Sequence, residues 1–320
     1  CAGGARVDLH FDSEISIQRG VSCEINVCGL QGGHSGEEIH RERGNAICLL
    51  GRTLNRLLEK MELYLVDVKG GVADNAIPVQ AKAKILITKY EKEDGLLQAV
   101  RGEDMEKECI LLLKTVCEKL DQELKIELAD KDSGVRIEVS TCKTEDEEVI
   151  DREESKILIS LINSLPYGVQ AMSRDMPGMV ETSLNPGQIF MEGKRVSIGI
   201  SVRSALESAK IALIGRLESL AYLAGADMEV TGVYPGWAYR KDSPLRSRMV
   251  EVYKNLYQKE PEIRAIHAGV ECGLLADKIS GLDCVSIGPD MKNIHTAKEE
   301  LSISSAGRVW NYLIQLLEEL

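Results

Sequence analysis

Between residues 21 and 30 the apolar side chains fall on alternate positions. Val21, Cys23, Ile25 and Val27 share one face, which predicts a half-buried strand. From 45 to 61 the spacing becomes helical, with Ala46, Leu49, Leu50, Leu54, Leu57, Leu58 and Met61 on one side. Residues 63–68 and 81–88 read as strands, 103–123 as a second amphipathic helix, and 135–140 as a short strand. The stretch 144–154, dense in Glu and Asp, reads as a solvated connection or a helix start. Beyond it come a helix at 155–164, strands at 180–183 and 188–191, a clear strand at 195–203, a helix at 205–224 and a strand at 227–233. The halves 21–140 and 150–233 both mix strands with helices, yet show no sequence repeat.

The character changes after Tyr234-Pro235-Gly236-Trp237. A helix at 244–257, a strand at 263–267, a helix at 270–277, a strand at 282–287 and a helix at 305–317 follow in alternation. Short apolar strands alternating with helices predict a parallel, doubly wound α/β sheet. Such a sheet places functional groups in the loops at its strand C-terminal ends, where His267, Gly269, Glu271 and His295 fall. A chain of 320 residues is long enough for two or three domains.

The formal net charge of −12 repels phosphates and anionic lipid heads, so neither nucleic acid nor membrane is an expected partner. No run approaches the roughly 18 apolar residues of a membrane span, and no basic-plus-apolar leader is present. The nine cysteines are scattered without a CxxC pair, which fits reduced, mostly buried thiols in a cytoplasmic protein. Cys1-Ala2-Gly3-Gly4 lacks an initiator Met and reads as the interior of a longer protein.

Several residues could carry chemistry. Small residues surround His34 in Gly32-Gly33-His34-Ser35-Gly36, which lets a ligand approach an accessible imidazole, although a tight turn with an exposed His reads equally well. There is no GK[ST] ending, so this is no phosphate loop. His40 reads as a surface or packing residue, and Asn75 as a turn former between two strands. Arg203 ends an alternating strand; it is either a solvated edge charge or a fork for a carboxylate. Glu271 opens a helix, where simple pairing with the helix dipole suffices to explain it.

Taken together, these segments resemble one family. Gly32-Gly33-His34-Ser35-Gly36-Glu37-Glu38-Ile39-His40, Asn75-Ala76-Ile77-Pro78 and Val180-Glu181-Thr182-Ser183-Leu184-Asn185 occur in this order. They are followed by Val202-Arg203-Ser204, Tyr234-Pro235-Gly236-Trp237, His267-Ala268-Gly269-Val270-Glu271-Cys272-Gly273 and Ser286-Ile287-Gly288-Pro289. The series is similar to the aminoacyl-histidine dipeptidases, also called Xaa-His dipeptidases, peptidase D or cytosol non-specific dipeptidases, and it runs the length of the chain. These are co-catalytic zinc peptidases of the clan that includes carnosinases and aminoacylases.

The resemblance implies a doubly wound zinc-peptidase catalytic domain, present in part as residues 1–19 and 234–320. An inserted α+β lid and dimerisation domain would span 20–233. It implies two Zn²⁺ per active site, a small dipeptide substrate such as Xaa-His, and a homodimer. By position, His295 matches a zinc ligand and His34 a lid His that stabilises the oxyanion. Asn75, Arg203 and Gly269 match residues that hold the substrate, chiefly its carboxylate. The other zinc ligands of the family cannot be placed in this sequence, so the polypeptide by itself is expected to be inactive. After His295 stands Thr296-Ala297-Lys298-Glu299, where the family often has Ser-Pro-Asp-Glu, and the region 91–152 is longer and more acidic than the family suggests. A related hydrolase of the clan (tripeptidase, aminoacylase or deacylase) and a non-catalytic dimerisation fragment are the competing readings.

Overall fold

Alternation of the kind seen at 21–30 recurs through eight long strands in the computed structural model, which describes residues 1–92, 94–293 and 298–319. They are β1 (Gly3–Asp12), β2 (Ile15–Cys28), β3 (Met61–Gly70), β4 (Ala81–Glu91), β5 (Arg136–Ile150), β6 (Val180–Glu192), β7 (Arg195–Ser204) and β8 (Asp227–Tyr234). All pair antiparallel, in the order β8-β1-β7-β6-β3-β4-β2-β5. Helices α1 (Ala46–Leu58), α2 (Glu103–Glu127), α3 (Arg152–Ser164) and α4 (Glu207–Ala224) pack against this sheet. They stand side by side in the order α2-α1-α3-α4. One aliphatic core, from Cys109 and Leu120 at one end to Leu213 and Leu217 at the other, runs between the two layers.

The order contains a duplication. Residues 15–150 run β2-α1-β3-β4-α2-β5, with strands placed β3-β4-β2-β5. The remainder runs β1-α3-β6-β7-α4-β8, with strands placed β6-β7-β1-β8. Each is a βαββαβ unit of the same topology, and the first is inserted behind the opening strand of the second. Their strands join where β3 meets β6, with Gly70 opposite Ile189 and Lys69 opposite Phe190, and α1 of the first packs beside α3 of the second.

Three sequence expectations change. Of residues 144–154, expected as a solvated connection or a helix start, 144–150 are the second half of β5 and pair with β2 as far as Ile15 opposite Ile150, while Asp151 caps α3, which begins at Arg152. Two of the carboxylates are paired across the strands: Lys84 pairs with Glu145 and Glu147, and Ser22 donates to Glu147. A charged edge strand is also protected against pairing with a foreign chain. The segment 1–19, assigned with 234–320, instead lies within the sheet of the 20–233 unit. β1 is hydrogen-bonded between β7 and β8, and its buried Val7, Leu9 and Phe11 face the common core.

The strands expected at 263–267 and 282–287 form no ladder among the described residues. A parallel strand is held only by neighbours in its sheet, and Ile263, Ile266 and Ile287 are 49%, 44% and 41% exposed. This part is built from helices α5 (Pro244–Tyr257), α6 (Glu271–Lys278) and α7 (Ile303–Glu319). Met249, Val252, Tyr312 and Leu316 form a small core between α5 and α7.

Candidate active site

The glycine-rich loop after β2 ends in a two-residue strand, Gly33–His34, which pairs with Ala76–Ile77 in the β3–β4 connection. Ser35 N–H donates to the Asn75 carbonyl at 2.8 Å, so the loops carrying His34 and Asn75 are stitched together. The His34 ring is oriented by its own turn: Nδ1 accepts from the backbone N–H groups of Gly36 and Glu37, both at 3.1 Å. A neutral imidazole that accepts at Nδ1 carries its proton on Nε2. The donor of the His34 ring is thus Nε2–H.

The Asn75 turn is held from beneath. Asn185 donates from Nδ2 to the carbonyls of Asp74 (3.1 Å) and Ala76 (2.9 Å). Asn45 donates to Asn185 Oδ1 at 3.1 Å, while its own Oδ1 caps α1 by accepting from Ile47 and Cys48. Buried amides satisfied on both sides fix a loop more firmly than exposed ones.

On the second unit, Arg203 stands opposite Ser183 in the β6–β7 register. Its Nη1 donates to Tyr234 Oη at 3.2 Å, and its Nε is buried without a hydrogen bond among the described residues. Gly269 lies against the same tyrosine; a Cβ there would come 2.6 Å from Tyr234 Cε2, so only glycine fits. The Tyr234 carbonyl in turn accepts from Lys210 Nζ at 2.8 Å.

His267 connects the two groups. Its Nε2 is 2.7 Å from Ser183 Oγ. Its carbonyl oxygen lies 2.7 Å from where a Cβ of Gly36 would sit, so the His34 loop rests on the His267 backbone. His267 is 5% exposed. Burial, and then the nearby Arg203 charge, push its pKa down to about 4. His267 is therefore neutral at physiological pH, and its protonation disfavours the folded state. The unfolded chain binds this proton below about pH 6.5 and the folded chain only near pH 4, so stability falls as pH drops through that window. His267→Gln should remove about 2 kcal/mol of this acid sensitivity, measured as the unfolding free energy of both proteins between pH 7 and pH 4.5.

The structure thus brings His34 beside Asn75 and Arg203 beside Gly269, with His267 between them. His295 lies outside the described residues. His40 is exposed in the short helix Ile39–Arg41, and Glu271 opens α6. Tyr234, Ser183, Asn185 and Asn45 had no assigned part in the sequence reading. Ser183, Asn185 and Tyr234 lie inside the quoted motifs, which was the available signal; Asn45 had none beyond its place ahead of a helix.

Residues 25–106, wholly within the first unit, match the family model of the peptidase dimerisation domain. The chain is 36% identical over 322 residues to the cytosol non-specific dipeptidase of Escherichia coli (strain K12), covering 100% of this chain and 62% of that protein. It superposes on the aminoacylhistidine dipeptidase from Vibrio alginolyticus with a TM-score of 0.83 and 32% identity, covering 100% of this chain and 62% of that one. Over its whole length this chain is similar to the aminoacylhistidine dipeptidases. It spans 62% of the length of both relatives.

Among the described residues no three His, Cys, Asp or Glu side chains are grouped to hold a metal ion. The zinc pair implied by the resemblance does not fit these residues alone. Among them, too, no helix is long and apolar enough to cross a membrane.

Proposed function

We propose that this chain forms the substrate-gripping part of a dipeptidase acting on dipeptides such as Xaa-His. The observation that carries the reading is the joining of the His34–Asn75 pair to the Arg203–Gly269 pair through buried His267. In this reading Arg203 takes the substrate carboxylate through its guanidinium fork, whose Nε has no hydrogen-bond partner among the described residues. The Asn75 turn and the bare backbone of Gly269 bound the space beside it. His34 directs Nε2–H at the oxygen of the scissile carbonyl and stabilises the negative charge that develops there. The metal dependence implied by the resemblance rests on ligands beyond the described residues, and this polypeptide alone is inactive. The dimerisation domain suits a homodimer, and cytoplasmic location fits the scattered cysteines.

Calorimetric titration of this chain with β-alanyl-histidine and with its C-terminal amide tests the grip directly. The free acid is expected to bind about 100-fold more tightly, the worth of a charge-assisted fork. Equal affinity for both would sink the carboxylate clamp. Tighter binding of tripeptides or N-acetyl amino acids would move the substrate assignment to another hydrolase of the clan. Robust hydrolysis by this chain with added Zn²⁺ would overturn the inactivity.

A further inference from the structure

A group of thiols lies in the first unit, away from the site just described. Cys23 on β2 and Cys109 and Cys117 on α2 are buried in the core between sheet and helices, and the partly exposed Cys142 on β5 packs against the same core. Cys142 reaches it through an irregularity in the edge strand. Ser22 stands opposite Lys143, but Glu24 stands opposite Ser140, so two residues of β5, at positions 141 and 142, face Cys23. Before this bulge Ile137 and Val139 contact the core; after it the parity changes and Cys142 does.

The outcome is a close approach of two sulfurs. Cys23 Sγ–H donates to Cys142 Sγ at 2.7 Å. A disulfide bond is about 2.05 Å long, so little movement separates the dithiol from a bonded pair. The two thiols are unlike. The hydrogen bond from Cys23, with Lys114 assisting against burial, lowers the Cys142 thiol to about 7. Burial pushes Cys109 and Cys117 up to about 12, and the bond to Cys142 together with burial raises Cys23. The group forms no metal-holding arrangement among the described residues.

We propose that Cys142 and Cys23 are a peroxide-sensitive dithiol that closes to a disulfide between the edge strand β5 and β2. The Cys142 thiolate attacks hydrogen peroxide, breaking the O–O bond; Cys142 becomes a sulfenic acid and hydroxide leaves. The adjacent Cys23 sulfur then attacks the Cys142 sulfur. The S–O bond breaks, and the departing hydroxyl leaves as water with the Cys23 proton. One peroxide is reduced to two waters and two thiols are oxidised to one disulfide. Cys142 attacks first because it is the accessible and more acidic partner. The bond would fasten this edge strand to β2, its ladder partner among the described residues, across a long loop.

The reduced chain is treated with hydrogen peroxide, its remaining thiols are alkylated, and a digest made without reductant is read by mass spectrometry. The expected result is loss of two of the nine free thiols and a single linked peptide pair joining Cys23 to Cys142. The thermal midpoint is expected to rise by on the order of 5 °C, reversed by reductant. Cys142→Ser should keep its eight remaining thiols, whereas Cys23→Ser should leave a Cys142 sulfenic acid that dimedone traps. Linkage of Cys142 to Cys109, to Cys117 or to a second chain would overturn the proposal. So would retention of all nine thiols at a peroxide dose that oxidises free cysteine.

Discussion

Replacing Arg203 by Ala is expected to weaken binding of a dipeptide with a free carboxylate about 100-fold and to leave its C-terminal amide almost unaffected. The guanidinium is fixed before any ligand arrives. It ends β7, stands beside Ser183 on β6, and is tethered at Nη1 to Tyr234 Oη. Among the described residues Nη1 has its partner in Tyr234, while the buried Nε has no hydrogen bond. A buried donor left unsatisfied costs about 1–3 kcal/mol, which a carboxylate would recover on binding. Arg203→Lys should restore only part of the affinity, because a lysine supplies the charge without the planar pair of donors. Titration of the acid and the amide against wild type, R203A and R203K checks this. A loss shared equally by acid and amide would mean that Arg203 maintains the local fold and does not take the carboxylate.

A large loss of stability is expected from Gly71→Ala. Gly71 follows β3 where the two units meet, with φ of +68°, and a Cβ there would lie 1.9 Å from the Gly187 carbonyl oxygen. The obstacle is backbone on both sides and cannot swing away like the end of a side chain. The left-handed conformation alone costs a non-glycine residue about 1 kcal/mol; with the collision the total should reach at least about 3 kcal/mol. Gly193 serves as the control: its φ is +59°, but nothing lies within 4 Å of its Cβ position. Gly193→Ala should therefore show only the conformational cost. In the sheet itself the two units meet through two residue pairs, Gly70 with Ile189 and Lys69 with Phe190. Damage should appear first as lost amide protection at Ile189 and Phe190, then as a lower denaturant midpoint. Equal destabilisation by the two substitutions would show that the close approach to Gly187 does not matter. Because the Asn75 turn lies just beyond, G71A should also loosen the side of the site that carries His34 and Asn75.

Local periodicity alone located much of the secondary structure. The alternation at Val21, Cys23, Ile25 and Val27 marks a strand, and the helical spacing from Ala46 to Leu57 marks α1, because in each case one face must enter a core. The ordered motifs were enough to place the chain beside the dipeptidases, and they contained His34, Asn75, Arg203 and Gly269. Other features have no local signature. Glu145 and Glu147 look like a solvated tract until Lys84 and Ser22 are brought alongside from other strands. Val7, Leu9 and Phe11 mark an internal strand only once β7 and β8 supply its partners. The two βαββαβ units share no visible sequence pattern, because strand order depends on which edges meet and many apolar sequences satisfy the same topology.

The sequence by itself therefore determined the elements whose own residues carry the burial pattern, and the chemical types available to a site. Tertiary structure alone decided which of those types meet. Ser183 and His267 become partners across the chain, Asn185 closes over the Asn75 turn, and a one-residue bulge turns Cys142 toward Cys23. These are long-range pairings set by strand register and by the junction of two units. No window of neighbouring residues records either one.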